Sequence, residues 1–144
     1  RETLRKDFLI KHPKIAILAI NPHAGDNGVI GSEDQEVLMP AIAANNKNKH
    51  LTYGPFSADT FFSDENFKKY DGIIAAYHDQ GLIPFKTMSF GKGVNYSAGL
   101  PIIRTSPDHG TGFDIAGKGI ASSTSFLQAI KVGINIYKSR NTIV

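Results

Sequence analysis

Two histidines in this chain each follow an apolar run. His23 lies in "NPHAG", just after "KIAILAI" (14–20), and His78 lies in "YHDQG", just after "DGIIAAY" (71–77). Neutral imidazole is a strong ligand for divalent cations, and carboxylates, here Asp26 and Asp79, complete such sites. If the two runs are parallel strands, both imidazoles reach one edge of a sheet, and a metal site becomes a reasonable reading. A lone loop histidine is ordinarily a solvated polar residue, and that reading stands for each ring taken singly. It is the reading adopted for His12 and His50, which sit in polar surroundings.

A second constellation follows the same run. Lys86, Lys92, Asn95 and Arg104 cluster around glycine-rich turns. Cations with an amide donor suit an anionic phosphate or carboxylate. The plainer alternative is a solvated basic surface, which Arg104 fits less well because it ends the apolar run "LPII". A third stretch, "DHGTGFDIAGKGIA" (108–121), has glycines that let backbone approach a ligand closely. It does not present G-x-G-x-x-G after a strand, and neither "GKG" is a phosphate-binding Walker loop.

The elements that must position these residues alternate between helix and strand. A helix is expected over 2–11, a strand covered on both sides over 14–20, and a glycine-rich loop after it. "SEDQEVLMPAIAANN" then starts a helix, with Ser32 and Gln35 spaced for a capping box and Pro40 able to kink it. Further expectations are a weak strand at 49–53, a loop and short helix over 59–69, and a strong buried strand at 71–77. A loop or short helix should follow in "HDQGLIPFKTM", then short strands in "GVNYSAG" and "PIIRTS". A closing helix over 123–139 sets Phe126, Ile130, Ile134 and Tyr137 on one side. This order implies a layered α/β/α fold with a mostly parallel sheet, whose ligands sit beyond the carboxyl ends of the strands.

Composition narrows the partners. The chain has 144 residues, enough for one domain with a fair core. Its 16 basic residues are scattered among 13 acidic ones, with no basic stripe, which argues against nucleic acid. No run is long enough to span a membrane, and the absence of cysteine removes disulfides and thiolate metal sites. The zero cysteine count also fits a reducing compartment. The chain starts with Arg and runs directly into a helical pattern, as the interior of a longer protein would.

The motifs "NPHAGD", "GPFSADT", "YHDQG", "FGKGVN", "LPIIRTSPDHGTG" and "AGKG", in this order, resemble those of the 4-hydroxythreonine-4-phosphate dehydrogenase family. The likeness covers nearly the whole chain from about residue 14. "HGTGFDIAGKGIA" is also similar to the cofactor loop of isopropylmalate and isocitrate dehydrogenases, whose fold the family shares. The resemblance implies an isopropylmalate dehydrogenase-like fold, incomplete here. Residues 1–144 would be the C-terminal catalytic portion of a longer two-domain enzyme, with metal and substrate groups up to about residue 90 and substrate and cofactor-loop groups from about 91.

Site roles are implied in the same way. His23 and His78 match two of three histidines holding a divalent cation (zinc, magnesium or cobalt), the third lying upstream of this chain. Lys86, Asn95 and Arg104 match groups that bind a small phosphorylated substrate. Asp59, Asp79 and Lys86 match residues with supporting or proton-transfer roles. His109, Gly110, Thr111 and Asp114 fall in the cofactor loop. Asp114 could accept a hydrogen bond from the NAD ribose and repel the extra phosphate of NADP, with Lys118 weakening the inference. Alternatively, Asp114 merely caps a helix starting at Ile115.

The implied activity is oxidation of 4-phosphohydroxy-L-threonine to a β-keto acid that decarboxylates to 3-amino-2-oxopropyl phosphate, in pyridoxal phosphate (vitamin B6) synthesis. The implied setting is a cytoplasmic homodimer with its active site at the interface. A same-fold dehydrogenase of another phosphorylated hydroxy acid, of the 4-phosphothreonate type, and a non-catalytic metal- or phosphate-binding fragment are the competing readings. With one ligand and half the pocket elsewhere, the chain alone should be inactive. Its apolar faces, including those of the terminal helices, should either meet another chain or stand exposed.

Overall fold

A computed structural model describes residues 1–63 and 65–141. Position 64, inside the segment expected as loop and short helix, and residues 142–144 of the expected C-terminal portion lie outside the described residues. In chain order the elements are α1 (Glu2–Lys6), β1 (Ile15–Leu18), a tight turn (Pro22–Gly28) and a π-helical turn (Asp34–Leu38) that runs into α2 (Met39–Lys47). Then come β2 (Thr52–Phe56), α3 (Ala58–Phe61), β3 (Gly72–Ile74), α4 (His78–Ser89), β4 (Val94–Tyr96), β5 (Thr105–Pro107) and α5 (Thr124–Asn141).

The first three strands form a parallel sheet in the order β2-β1-β3. The sequence "IAIL" suits the middle place, because a strand flanked on both edges and covered on its faces gains from apolar residues at every position. Ala16 and Leu18 are fully buried there. Pro55 falls in β2, at the edge of the sheet, where a missing N–H costs least. The ladder slips beside it: Ala16 faces Tyr53, but Leu18 faces Phe56. Ala16, Leu18 and Phe61 make the core, with Phe56, Phe62, Phe67 and Tyr70 packed around it. Ring centroids of Phe56 and Phe61 stand 5.1 Å apart, a favourable aromatic separation.

The fold is α/β with a parallel sheet, as expected. The strands at 94–96 and 105–107 do not extend that sheet, however. They pair antiparallel with each other and pack on α5. Ser125 of α5 links them, donating to the Gly93 carbonyl at 2.9 Å and accepting from the Asp108 N–H at 3.0 Å. Thr105 adds a bond to the Ala129 carbonyl.

Several sequence expectations are corrected. The buried strand expected over 71–77 shortens to Gly72–Ile74, and Ile73 and Ile74 are 36% and 51% exposed. β3 is an edge strand here, so its apolar side chains lack cover among the described residues. The first helix stops at Lys6, and Leu9 adopts a left-handed φ of 57° that no helix can continue through. The capping box does not form. No side chain caps this helix, and Gln35 turns back to the preceding loop. Pro40 neither ends nor breaks the helix. The turn before it is π-helical, the Met39 N–H reaching the Asp34 carbonyl. "HDQGLIPFKTM" is a full helix, α4, which continues through Pro84. The weak strand lies at Thr52–Phe56 rather than 49–53.

Candidate active site at the carboxyl edge of the sheet

The loop after β1 is tightly built. Asp34 is fully buried, and its carboxylate accepts the N–H groups of Ile20 at 2.8 Å and Asn21 at 3.0 Å. Charge-assisted bonds of this kind offset the cost of burying a carboxylate. On one side of it, Glu33 accepts from the Asn21 amide at 2.7 Å, and that bond is the main reason its carboxyl lies below the usual carboxylate range. On the other side, Gln35 donates to the Ala24 carbonyl at 3.3 Å. These contacts hold a backbone that L-residues ordinarily avoid. His23, Ala24, Gly25, Asp26 and Asn27 have φ of 51°, 53°, 80°, 42° and 55°. Left-handed backbone costs about 1–2 kcal/mol per non-glycine residue. Gly25 escapes that cost and is also required sterically, since a Cβ there would stand 2.5 Å from the Gly31 carbonyl oxygen.

His78 opens α4 immediately after the extended Tyr77. Its Nδ1 meets the Asp79 carboxylate at 2.7 Å. A carboxylate there accepts the Nδ1 proton, which leaves Nε2 with a free lone pair, the arrangement common among metal-binding histidines. Gln80 ties the two strand ends together. Its Nε2 donates to the Ala19 carbonyl at 2.6 Å, and its Oε1 accepts from the Ala76 N–H at 2.7 Å. Because β1 and β3 are parallel neighbours, the His23 and His78 loops leave the same edge of the sheet.

Asp59 enters from the start of α3. Ser57 donates to it at 2.7 Å, which chiefly holds its carboxyl below the usual range, and His23 adds a smaller pull in the same direction. A groove of about 590 Å³ runs between α3 and α4, lined by Asp59, Asp79, Phe62, Tyr77, Ile83 and Met88. Imidazole and carboxylate are the right donors for a divalent cation. Among the described residues, though, no three His, Cys, Asp or Glu groups come close enough together to hold one. His23 lies near Asp59 and His78 beside Asp79, so the donor set fits part of a cation's shell.

The anion-binding candidates are spread out. Lys86 stands in the last turn of α4, Asn95 lies mid-β4 opposite Ser106, and Arg104 precedes β5 and donates to Ser97 Oγ at 3.0 Å. All three are exposed, and no hydrogen bond links them among the described residues. Lys92 lies elsewhere, with His109, Thr111 and Asp114, on the wall of a cavity of about 1000 Å³. His109 Nδ1 lies 2.9 Å from the Gly110 carbonyl. Asp114 is not a helix cap. It sits inside a short 3-10 turn (Phe113–Ile115) that starts from Gly112 in left-handed geometry, and its side chain is left toward solvent.

Sequence reasoning missed Asp34 and Gln80 as site residues. Gln80 lay within the "YHDQG" motif and could have been flagged there. Asp34 carried a weaker signal, an acidic pair directly after a glycine-rich turn whose N–H groups needed acceptors.

Comparison with known proteins identifies the framework. The family model described as pyridoxal phosphate biosynthetic protein PdxA matches residues 1–133. A protein of Bacteroides thetaiotaomicron named 4-hydroxythreonine-4-phosphate dehydrogenase is 53% identical over 137 residues, covering 95% of this chain and 38% of its own length. A solved structure of 4-hydroxythreonine-4-phosphate dehydrogenase from Klebsiella pneumoniae superposes with a TM-score of 0.76 at 42% identity, covering 97% of this chain and 41% of that one. A terephthalate 1,2-cis-dihydrodiol dehydrogenase from Burkholderia xenovorans superposes with a TM-score of 0.69 at 32% identity, over 93% and 42% of the two chains. The chain thus spans about two fifths of the length of these relatives, and with both histidine loops on one edge of its parallel sheet it belongs to the pyridoxal phosphate biosynthetic protein PdxA family.

Proposed function

We propose that, within its complete protein, this chain contributes part of a metal-dependent, NAD-linked dehydrogenase site. The substrate in this reading is 4-phosphohydroxy-L-threonine. The product is a β-keto acid that loses carbon dioxide to give 3-amino-2-oxopropyl phosphate, on the route to pyridoxal phosphate. The observation that carries the proposal is the pair of histidine loops at one carboxyl edge, with the His78 Nδ1 held by Asp79. The names of the relatives agree with it.

His23 and His78 are the residues that would hold the cation, zinc, magnesium or cobalt. Asp79 fixes the tautomer of His78 and presents Nε2 to the site. When bound, the cation supplies a Lewis acid at the alcohol oxygen and the nicotinamide supplies a hydride acceptor. Asp59, Asp79 and Lys86 are the groups able to take up the hydroxyl proton or support its transfer. The Ser57 hydrogen bond keeps Asp59 ionised at the cost of basicity, which suits it to a supporting charge. Lys86, Asn95 and Arg104 bind the phosphorylated substrate. His109, Gly110, Thr111 and Asp114 hold the cofactor. In this reading the residues up to about 90 serve metal and substrate, and those beyond serve substrate and cofactor. The rest of the site comes from the missing portion and from a second subunit of a cytoplasmic homodimer. No helix among the described residues is long and apolar enough to cross a membrane.

The test is His78→Ala in the complete protein. Turnover should collapse while the circular dichroism spectrum and melting temperature stay close to wild type. Retained turnover would mean that the cation is not held at His78. The relative named for a dihydrodiol substrate shares this fold, so the fold alone does not fix the substrate. A substrate panel settles the choice: faster oxidation of 4-phosphothreonate than of 4-phosphohydroxythreonine would move the assignment to the other phosphorylated hydroxy acid.

A further inference from the structure

His23 cannot hold its own position. It is exposed, it lies in a run of five residues with positive φ, and among the described residues no hydrogen bond of its own side chain orients it. A loop in such backbone reverts to ordinary geometry unless the surroundings fix it. The fixing groups come from three consecutive residues at the start of the next helix. Glu33 takes the Asn21 side chain, Asp34 takes the Ile20 and Asn21 N–H groups, and Gln35 takes the Ala24 carbonyl. The clamp therefore grips residues on both sides of His23. Its central member is a fully buried carboxylate, the most expensive kind of group to place there for packing alone.

We infer that Asp34 is a positioning residue for the metal site: through the Ile20 and Asn21 amides it fixes the turn that presents His23, with Glu33 and Gln35 in support. The inference rests on the metal reading above. A carboxylate is needed rather than a generic polar group. Both of its oxygens must accept, and an amide would turn one N–H donor against another.

The experiment measures cobalt(II) binding by the complete protein, by calorimetry and by the visible absorption of the bound ion, in wild type, His23→Ala and Asp34→Asn. Loss of tight binding in His23→Ala establishes the reading on which the inference stands. Asp34→Asn should then weaken cobalt(II) binding by about 10- to 100-fold, the usual effect of removing a group that orients a ligand. It should also alter the absorption band, because the coordination geometry loosens. If Asp34→Asn does not fold, Gln35→Ala carries the test, with a smaller loss of affinity in the same direction. A lower melting temperature with unchanged cobalt(II) affinity and spectrum would make the clamp purely structural and overturn the inference. Equal binding by wild type and His23→Ala would instead overturn the metal reading itself, and the inference with it.

Discussion

At the scale of single residues, small offsets decide chemical roles. His78 and Asp79 are adjacent in sequence, and the first turn of α4 brings them to 2.7 Å, so the aspartate selects which imidazole nitrogen is free. Asp114 shows the opposite case. Its 3-10 turn leaves the carboxylate exposed on the wall of the large cavity, where it can meet a ribose. In the proposed cofactor role, a carboxylate there would accept from the 2′-hydroxyl of NAD and repel the 2′-phosphate of NADP. The complete protein should therefore prefer NAD, and Asp114→Lys should move the ratio of kcat/KM values towards NADP. Steady-state kinetics with both cofactors check this. A wild type that prefers NADP, or a ratio untouched by the substitution, would remove Asp114 from cofactor selection.

At the scale of elements, one polar knot joins parts far apart in sequence. Arg140, near the end of α5, donates from Nε and Nη2 to the two oxygens of Asp7 at 2.6 and 3.0 Å. It also donates to the carbonyls of Leu100 and Pro101. Tyr96 of β4 donates to Asp7 as well. α1, the β4–β5 layer and α5 are thus fastened at one point. Asp7 is buried, and the Arg140 hydrogen bonds hold its carboxyl below the usual range, while burial pushes the Tyr96 hydroxyl up. The folded-state pKa of Asp7 lies below its unfolded value. Its stabilisation is therefore complete above about pH 4 and is lost as pH falls through the depressed value. Asp7→Asn should cost about 3–5 kcal/mol at neutral pH, as breaking one side of a buried ion pair does. It should also flatten the acid limb of stability. Urea unfolding at neutral and acid pH measures both effects, and equal losses at the two pH values would contradict them.

At the scale of the whole molecule, the chain leaves much apolar surface open. Phe126 and Tyr137 of α5 are 57% and 62% exposed, and Ile130 and Ile134 stand exposed on the same helix. α5 instead buries Ser125, Ala129 and Ile136. Phe8, Leu9 and Ile83 are exposed as well. So many open large side chains mark surfaces meant to be covered. This matches the expectation for the outer apolar face of α5, whereas at the other end α1 stops at Lys6 and Phe8 packs edge-on against Tyr96. The open surface also accords with a span of 38% to 42% of the relatives. The 144-residue chain purified alone should bind a hydrophobic dye such as ANS strongly and should not reduce NAD with 4-phosphohydroxythreonine. Robust turnover by the isolated chain would show that the site needs nothing beyond these residues.

The alternation of helix and strand was legible in the sequence because a middle strand such as "IAIL" must be apolar throughout, whatever lies around it. The family was legible too, since its motifs keep their residues and order. Other features depended on neighbours distant along the chain. Periodicity marked Phe126, Ile130, Ile134 and Tyr137 as one helical face, but only packing against β4 and β5 showed that α5 turns a different face inward. An apolar run at 71–77 reads the same whether its strand is central or at an edge, and edge placement left Ile74 open. Ser32 and Gln35 had capping-box spacing, yet the loop before them offered Gln35 a carbonyl. The residue types capable of metal and anion chemistry, and the apolar strands that the two histidine loops follow, were readable locally because both depend on local composition. The partners of Asp34 and Gln80 emerged from the folded chain alone, because local pattern can mark a polar residue but does not say which groups 13, 14 and 61 residues away it will bond.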